Sequence, residues 1–282
     1  MTARLLDGRS LANQLRSELR DRVARLASQS GGAPRLAILG DGVSEAAALY
    51  AGSLERAAKH IGIAAELRLG ADEPIEDAIE RLNADPTVAG IVIAQPFANI
   101  AEGRRVVQHV DPAKDVDGAT PTNAGWLARG EPAFVPATAL AVIALLEAYD
   151  IPVAGRRTVI VGRSAVVGRP VASLLLARDA TVTVCHRATR DLAGETRRAE
   201  LVVVAAGVPQ LIGADMVSSS ATVVDCGINA VNGGIVGDVE TTTVSAVVEA
   251  ISPVPGGVGP VTPMMVLRQT VEAAERASSS SA

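Results

Sequence analysis

The stretch from Thr158 to Leu176, Thr-Val-Ile-Val-Gly-Arg-Ser-Ala-Val-Val-Gly-Arg-Pro-Val-Ala-Ser-Leu-Leu-Leu, has the residue types and spacing that hold a phosphate. The β-branched run Thr158 to Val161 predicts a buried strand, and the apolar run after Pro170 predicts a helix. Between them Gly162 lets the backbone bend close to a ligand. Gly168 removes a side chain where helix meets strand, and Pro170 suits a first turn whose N–H has no partner. The free N–H groups of that turn then face an anion. Two glycines separated by five residues depart from the G-x-G-x-x-G fingerprint, so the motif alone also fits a structural strand-to-helix turn. About 25 residues past Gly162, where a dinucleotide-binding domain reads the adenosine ribose, the sequence offers Cys185, His186 and Arg187 in place of an acid. Arg187, with Arg163 in the first turn and Arg190 nearby, suits a 2′-phosphate and points to NADP over NAD. An arginine-rich chain also puts arginines on many loops, and that reading stays open.

These groups need a frame. Strand candidates recur at Ala180 to His186, Leu201 to Ala205 and Ala221 to Cys226, with helix-compatible sequence over Thr189 to Ala199, the alternation of a parallel, doubly wound sheet. Upstream, apolar residues at helical spacing predict a helix from Ser10 to about Leu26, with Leu36 to Leu39 as a strand ended by Gly40-Asp41-Gly42. A helix from Glu45 to His60, a strand from Ala64 to Leu69, a helix from Pro74 to Asn83 and the buried strand Val88 to Ala94 complete a first α/β domain. A Gly-, Pro- and Thr-rich loop leads to a helix from Ala137 to Tyr149, and a tail helix from Thr270 frays into Ser278 to Ser281.

Composition sets looser bounds. The 282 residues are 48% hydrophobic with a net charge of −5, which describes a globular chain of one large or two ordinary domains. Only 2% of residues are aromatic and no basic block occurs, so nucleic-acid binding is not expected. The opening Met-Thr-Ala-Arg-Leu-Leu-Asp-Gly has no leader pattern and no run of 18 apolar residues occurs, so membrane insertion is not expected and a cytoplasmic location is. Cys185 and Cys226 fall in predicted buried strands without C-x-x-C spacing. They read as reduced core thiols, and no metal site is expected.

Several segments together carry a resemblance. They are Leu6-Asp7-Gly8, Asp111 to Gly118, Gly162-Arg163-Ser164 with Val167-Gly168-Arg169-Pro170, Thr181 to His186, Val224 to Asn229, Gly237-Asp238-Val239 and Pro253 to Pro260. In this order they resemble the methylenetetrahydrofolate dehydrogenase/methenyltetrahydrofolate cyclohydrolase (FolD) family over nearly the whole chain. The resemblance implies an N-terminal three-layer α/β domain and a C-terminal Rossmann-type domain with a cleft between them. Residues 1–136 with 263–282 would form the folate domain and residues 137–262 the NADP domain. It implies cofactor contact by Gly162, Arg163, Ser164, Val167, Gly168, Arg187 and Ile228, and substrate contact by Tyr50, Asp117, Pro255, Gly256 and Gly257. Tyr50 would stack on the aminobenzoyl ring and Asp117 grip the pterin. It also implies a homodimer through the dinucleotide domain, with Ile212 to Val217 and Ile235 to Val239 as candidate contacts.

The sequence departs from the family pattern where the chemistry is done. The family's Tyr-x-x-x-Lys reads Tyr50-Ala51-Gly52-Ser53-Leu54, and its Val-Gln-Leu-Pro-Leu-Pro reads Ile93-Ala94-Gln95-Pro96-Phe97-Ala98, which places Leu54 and Ala94 at the lysine and glutamine positions. Gln95 is adjacent, but along a strand it points to the opposite face. The family's Pro-Cys-Thr-Pro reads Pro136-Ala137-Thr138-Ala139, and its Pro-Ala-Ser reads Glu45-Ala46-Ala47. The chain has two lysines, Lys59 and Lys114, against 24 arginines, so a lysine lost to compositional drift would have become arginine. Lys59 cannot substitute, because five residues rotate a helix roughly 140° away from the face of position 54. Hydride transfer from a methylene bridge needs proximity and alignment, whereas hydrolysis of the methenyl cation needs a positioned proton donor. The expectation is an NADP-dependent methylenetetrahydrofolate dehydrogenase, slow at oxidation and weak or inactive as a cyclohydrolase. A paralogue acting on another small iminium or amine, or a non-catalytic dinucleotide- or folate-binding relative, stays open.

Overall fold

The computed structural model describes residues 3–30, 32–70, 73–231 and 233–280. The chain runs β1 (Arg4–Leu5), α1 (Gly8–Ser30), β2 (Arg35–Gly40), α2 (Glu45–His60), β3 (Ala64–Leu69), α3 (Ile75–Ala84), β4 (Val88–Ile93), α4 (Ile100–Val107), α5 (Pro121–Ala128) and α6 (Ala137–Ala148). It continues through β5 (Arg157–Val161), α7 (Gly168–Leu176), β6 (Thr181–Cys185), α8 (Leu192–Arg197), β7 (Leu201–Val204), β8 (Thr222–Asp225), the hairpin β9 (Asn229–Val231) and β10 (Gly234–Val236), α9 (Thr241–Val244), β11 (Ala250–Ile251) and α10 (Val258–Ser280). It divides into two compact units, one of residues 1–13 with 136–262 and one of residues 14–135 with 263–282.

The first unit holds a six-stranded sheet in the order β1-β11-β8-β7-β5-β6, every pair parallel. β5, β7 and β8 are buried valine-rich strands, as a parallel sheet covered on both faces requires. β6 differs from the buried strand expected: it is an edge, and Thr181, Thr183 and Val184 are exposed. The first thirteen residues also differ from the sequence-based boundary, because β1 pairs with β11. Tyr149 Oη accepts from Asp7 N at 2.8 Å, and Gly8 N donates to Gly256 O at 2.9 Å. The Leu6-Asp7-Gly8 and Pro253–Pro260 motifs therefore meet in one place.

In the second unit β2 lies between β3 and β4, all parallel. The chain crosses in opposite directions from β2 to β3 and from β3 to β4, so right-handed connections put α2 and α3 on opposite faces. Ala37, Leu39, Ile91 and Ile93 pack with Ile79 of α3 and with Val106 and Val107 of α4. The alternate strand positions face α2, whose Ala47, Ala51, Leu54 and Ala58 are buried.

Some elements differ from expectation. α10 begins at Val258 instead of Thr270 and stays helical through Ser280, and Ser281 lies outside the described residues. α5 occupies part of the expected loop, started by Thr120, whose hydroxyl accepts from Asn123 N, and by Pro121 in the first turn. Cys226 lies one residue past β8 and is half-buried rather than buried in a strand, whereas Cys185 is buried. Ile212, Val217 and Val239 belong to the core of the first unit, so of the expected dimer contacts the exposed apolar one is Ile235. No helix among the described residues is long and apolar enough to cross a membrane.

Candidate active site

In the first unit the turn after β5 has the shape its sequence requires. Gly162 has φ +127°, and a Cβ there would collide with the Ala205 carbonyl; a Cβ on Gly168 would strike the Gly162 carbonyl. Ser164 Oγ accepts from Val167 N at 3.1 Å and Gly168 N at 3.4 Å, fixing the entry to α7. β5 and β7 are neighbours whose following connections run to opposite sides of the sheet, which makes this the switch point where doubly wound sheets bind ligands.

A cavity of about 450 Å³ opens there. Gly162, Arg163 and Ser164 line it together with His186, Arg187 and Thr189, and aliphatic groups from Leu192, Ala206, Val208 and Leu211 form its other side. Arg163 and Arg187 are exposed, and neither forms an ion pair among the described residues, whereas Arg157, Arg178 and Arg198 of the same unit each pair with a glutamate. Two guanidinium groups without an ion-pair partner on the cavity that the glycine turn also lines give it a positive lining, the chemistry that favours an anion. The turn after β6 is held by Thr189 Oγ1, which accepts from His186 N at 2.9 Å. Of the other expected cofactor contacts, Val167 sits at the N-cap of α7 and Ile228 is 68% exposed beside the hairpin. Pro255, Gly256 and Gly257 lie in the turn before α10, where Gly257 N donates to Pro253 O at 2.7 Å.

In the second unit Ser44 Oγ caps α2 by accepting from Ala47 N, and Tyr50 and Leu54 follow one helical turn apart. Leu54 is fully buried. Tyr50 is half-buried, and burial first, with the Asp117 carboxylate second, pushes its phenol well above the usual range. Asp117 is placed by its neighbours. Ile91 N donates to Lys114 O, and Asp115 accepts from Ala119 N, Thr120 N and Asn123 Nδ2. Gln269 Nε2 donates to Val116 O at 2.7 Å. Asp115, Asn123 and Gln269 were not singled out in the sequence, since a buried polar residue that holds a loop has no local pattern.

The remaining cations and amides near these residues are engaged elsewhere. Lys114 Nζ donates to the carbonyls of Leu82, Asn83 and Asp85 at the end of α3, and burial lowers its pKa. Lys59 pairs with Glu55 on the outer face of α2. Ala94 is fully buried on the α2 face, next to Gly40, while the Gln95 amide lies against Gly103 of α4. The structure thus brings Tyr50 and Asp117 into electrostatic contact and puts aliphatic side chains at 54 and 94.

The catalytic-domain model of tetrahydrofolate dehydrogenase/cyclohydrolase matches residues 6–117, and the NAD(P)-binding-domain model of the same enzymes matches residues 136–278. The chain is 46% identical over 276 residues to the bifunctional protein FolD 1 of Saccharopolyspora erythraea, covering 96% of this chain and 94% of that one. Among solved structures it resembles the bifunctional FolD methylenetetrahydrofolate dehydrogenase/cyclohydrolase of Campylobacter jejuni, at 39% identity and TM-score 0.93, covering 96% and 98% of the two chains. It also resembles the Trypanosoma brucei FolD complexed with NADP and an inhibitor, at 34% identity and TM-score 0.92, covering 98% of each. With family models over both halves and such relatives along its length, the chain belongs to the tetrahydrofolate dehydrogenase/cyclohydrolase family.

Proposed function

We propose that this chain is an NADP-dependent oxidoreductase of one-carbon folate metabolism that oxidises 5,10-methylenetetrahydrofolate, and that its hydrolysis of the methenyl product is weak or absent. The observation that carries the first half is the unpaired Arg163 and Arg187 on a single cavity over the Gly162 turn. The tight glycine turn leading into the start of α7 fits a pyrophosphate, and the two arginines fit a 2′-phosphate. Bound there, NADP supplies the hydride acceptor. Ser164 and Val167 shape the turn, and Ile228 offers an apolar contact.

On the substrate side, Tyr50 is assigned the aminobenzoyl ring, Asp117 the amino-pyrimidine face of the pterin, and Pro255, Gly256 and Gly257 further contacts. Tyr50, kept protonated by burial and by Asp117, stacks and donates but does not act as a base. Oxidation asks no proton transfer of these groups. Hydrolysis does, and neither Leu54 nor Ala94 can donate or accept; Lys114, Lys59 and Gln95 are held by other partners or face elsewhere. The two buried aliphatic side chains also favour a second reading, a divergent pocket for another small iminium or amine. Association as a homodimer through the first unit follows from the family resemblance, and sedimentation showing only monomer with and without NADP would remove it. The function is tested by a stopped assay of purified protein with methylenetetrahydrofolate and each of NADP and NAD. NADPH formation supports the proposal; dinucleotide binding without turnover supports a different substrate or a non-catalytic relative.

A further inference from the structure

The cavity at the switch point has two walls of different kinds. Arg163, His186 and Arg187 form one; the other runs through Ala205, Ala206 and Val208, a segment after β7 with no regular structure to hold it. It is held instead by a carboxylate that enters the chain about thirty residues later. Asp238 Oδ2 accepts from Ala206 N at 2.6 Å and Gly207 N at 2.8 Å, and its Oδ1 accepts from Asn229 Nδ2 at 2.8 Å. Asp238 is fully buried. Its own backbone is fixed by a second buried carboxylate: Asp225 Oδ1 accepts from Asp238 N at 3.1 Å and Gly227 N at 2.8 Å, and Oδ2 from Val239 N at 2.9 Å. Gly237 makes room for this contact, since a Cβ there would overlap Asp225 Oδ2.

Neither carboxylate forms an ion pair among the described residues. Their donors are backbone N–H groups and one side-chain amide, so both are held by groups with little freedom to rearrange. A neutral amide at position 238 would turn donors toward donors, because Ala206 N, Gly207 N and Asn229 Nδ2 all need an acceptor.

We propose that Asp238 is a positioning residue for the dinucleotide, fixing the Ala206–Val208 wall against which the adenosine end packs, with Asp225 as its support. This rests on the reading of the cavity as the dinucleotide site. The Ala206–Val208 wall is common to NADP and NAD, whereas Arg163 and Arg187 read only the 2′-phosphate. Loss of Asp238 therefore weakens both cofactors by one factor and leaves the preference between them intact, whereas loss of Arg163 or Arg187 changes the preference; a smaller folded fraction would also weaken both equally, so the variants are compared where each is fully folded.

The test is calorimetric titration of the whole protein with NADP and with NAD, for wild type, Asp238→Asn and Asn229→Ala, at one salt concentration and a temperature at which circular dichroism shows each variant folded. Asp238→Asn is expected to bind both cofactors about tenfold more weakly, with the NADP:NAD ratio within about twofold of wild type. Asn229→Ala, which removes one donor from the same carboxylate, is expected to weaken both about two- to fivefold. Wild-type affinities in folded Asp238→Asn overturn the inference even if its melting temperature falls, and so does a loss confined to NADP. If Asp238→Asn does not fold, unchanged affinities in Asn229→Ala overturn it. A wild-type protein that binds neither dinucleotide overturns the reading of the cavity and this inference with it; a binding wild type with unaffected variants overturns this inference alone.

Discussion

The dinucleotide turn of the first unit and the Tyr50 face of the second are built on different principles. In the turn, backbone geometry dictates the residues: side chains at 162 or 168 would meet backbone carbonyls, so a change there disturbs fold and ligand site together. On α2, function would hang on side chains that project from an ordinary helix. Leucine at 54 and alanine at 94 pack completely, and the helix and sheet that carry them are undisturbed. A site made of backbone resists change because the fold depends on it, while a site made of side chains can change without unpacking the protein, which is what the proposed loss of hydrolysis requires.

The largest expected effect breaks the first half of that comparison. Gly162→Ala combines a φ of +127° with a collision at the Ala205 carbonyl, so it should abolish dinucleotide binding and lower stability by about 3 kcal/mol or more, read by calorimetry and thermal melting. Next, Leu54→Lys with Ala94→Gln should raise methenyl hydrolysis by about 10²- to 10⁴-fold, and more than either single change, because a lysine without its orienting amide is poorly placed. Loss of the methenyl compound above its decay in buffer is the readout. A double variant that binds NADP and gains nothing would mean that the pocket is remodelled beyond these two positions.

A smaller effect in the first unit is read by pH. Burial, partly offset by N–H donors, raises Asp225 from 3.8 to about 6. Because the folded pKa lies above the unfolded one, the stability Asp225 contributes is full below about pH 4 and is lost as pH rises through about 6. The stability difference between wild type and Asp225→Asn should therefore shrink by about 3 kcal/mol across that window, measured by denaturant unfolding. The smallest change is Arg187→Ser, which should narrow the NADP preference over NAD by about tenfold, one exposed charge-assisted contact being lost. Equal affinities for the two cofactors in the unaltered protein would contradict the assignment of Arg163 and Arg187.

How much of this the sequence disclosed follows the same division. The strand-turn-helix from Thr158 to Leu176 was legible because β-branched periodicity and glycines are local signals, and β5, Gly162 and α7 lie where they indicate. Family membership was legible from ordered motifs. What stayed hidden was set by distant partners. β1 joins the first unit because Arg4 and Leu5 pair with residues near 250, and no local pattern in two residues announces that. Ile212 and Val239 read as surface candidates but form a parallel bridge inside the core. Asp238 stands in a recognisable motif, yet its hold on Ala206 and Gly207 is a contact across 32 and 31 residues that only the fold reveals.

The comparison between the two regions rests on one claim, that the second unit has lost the proton-transfer group while the first retains its cofactor site. The most direct test is to give the unaltered protein methenyltetrahydrofolate and, in a parallel sample, methylenetetrahydrofolate with NADP. The account predicts that NADPH forms in the second sample while the methenyl compound in the first decays at or close to its rate in buffer. Methenyl hydrolysis on the order of 1 s⁻¹ or faster would contradict it, because another group would then be moving the proton that Leu54 and Ala94 cannot.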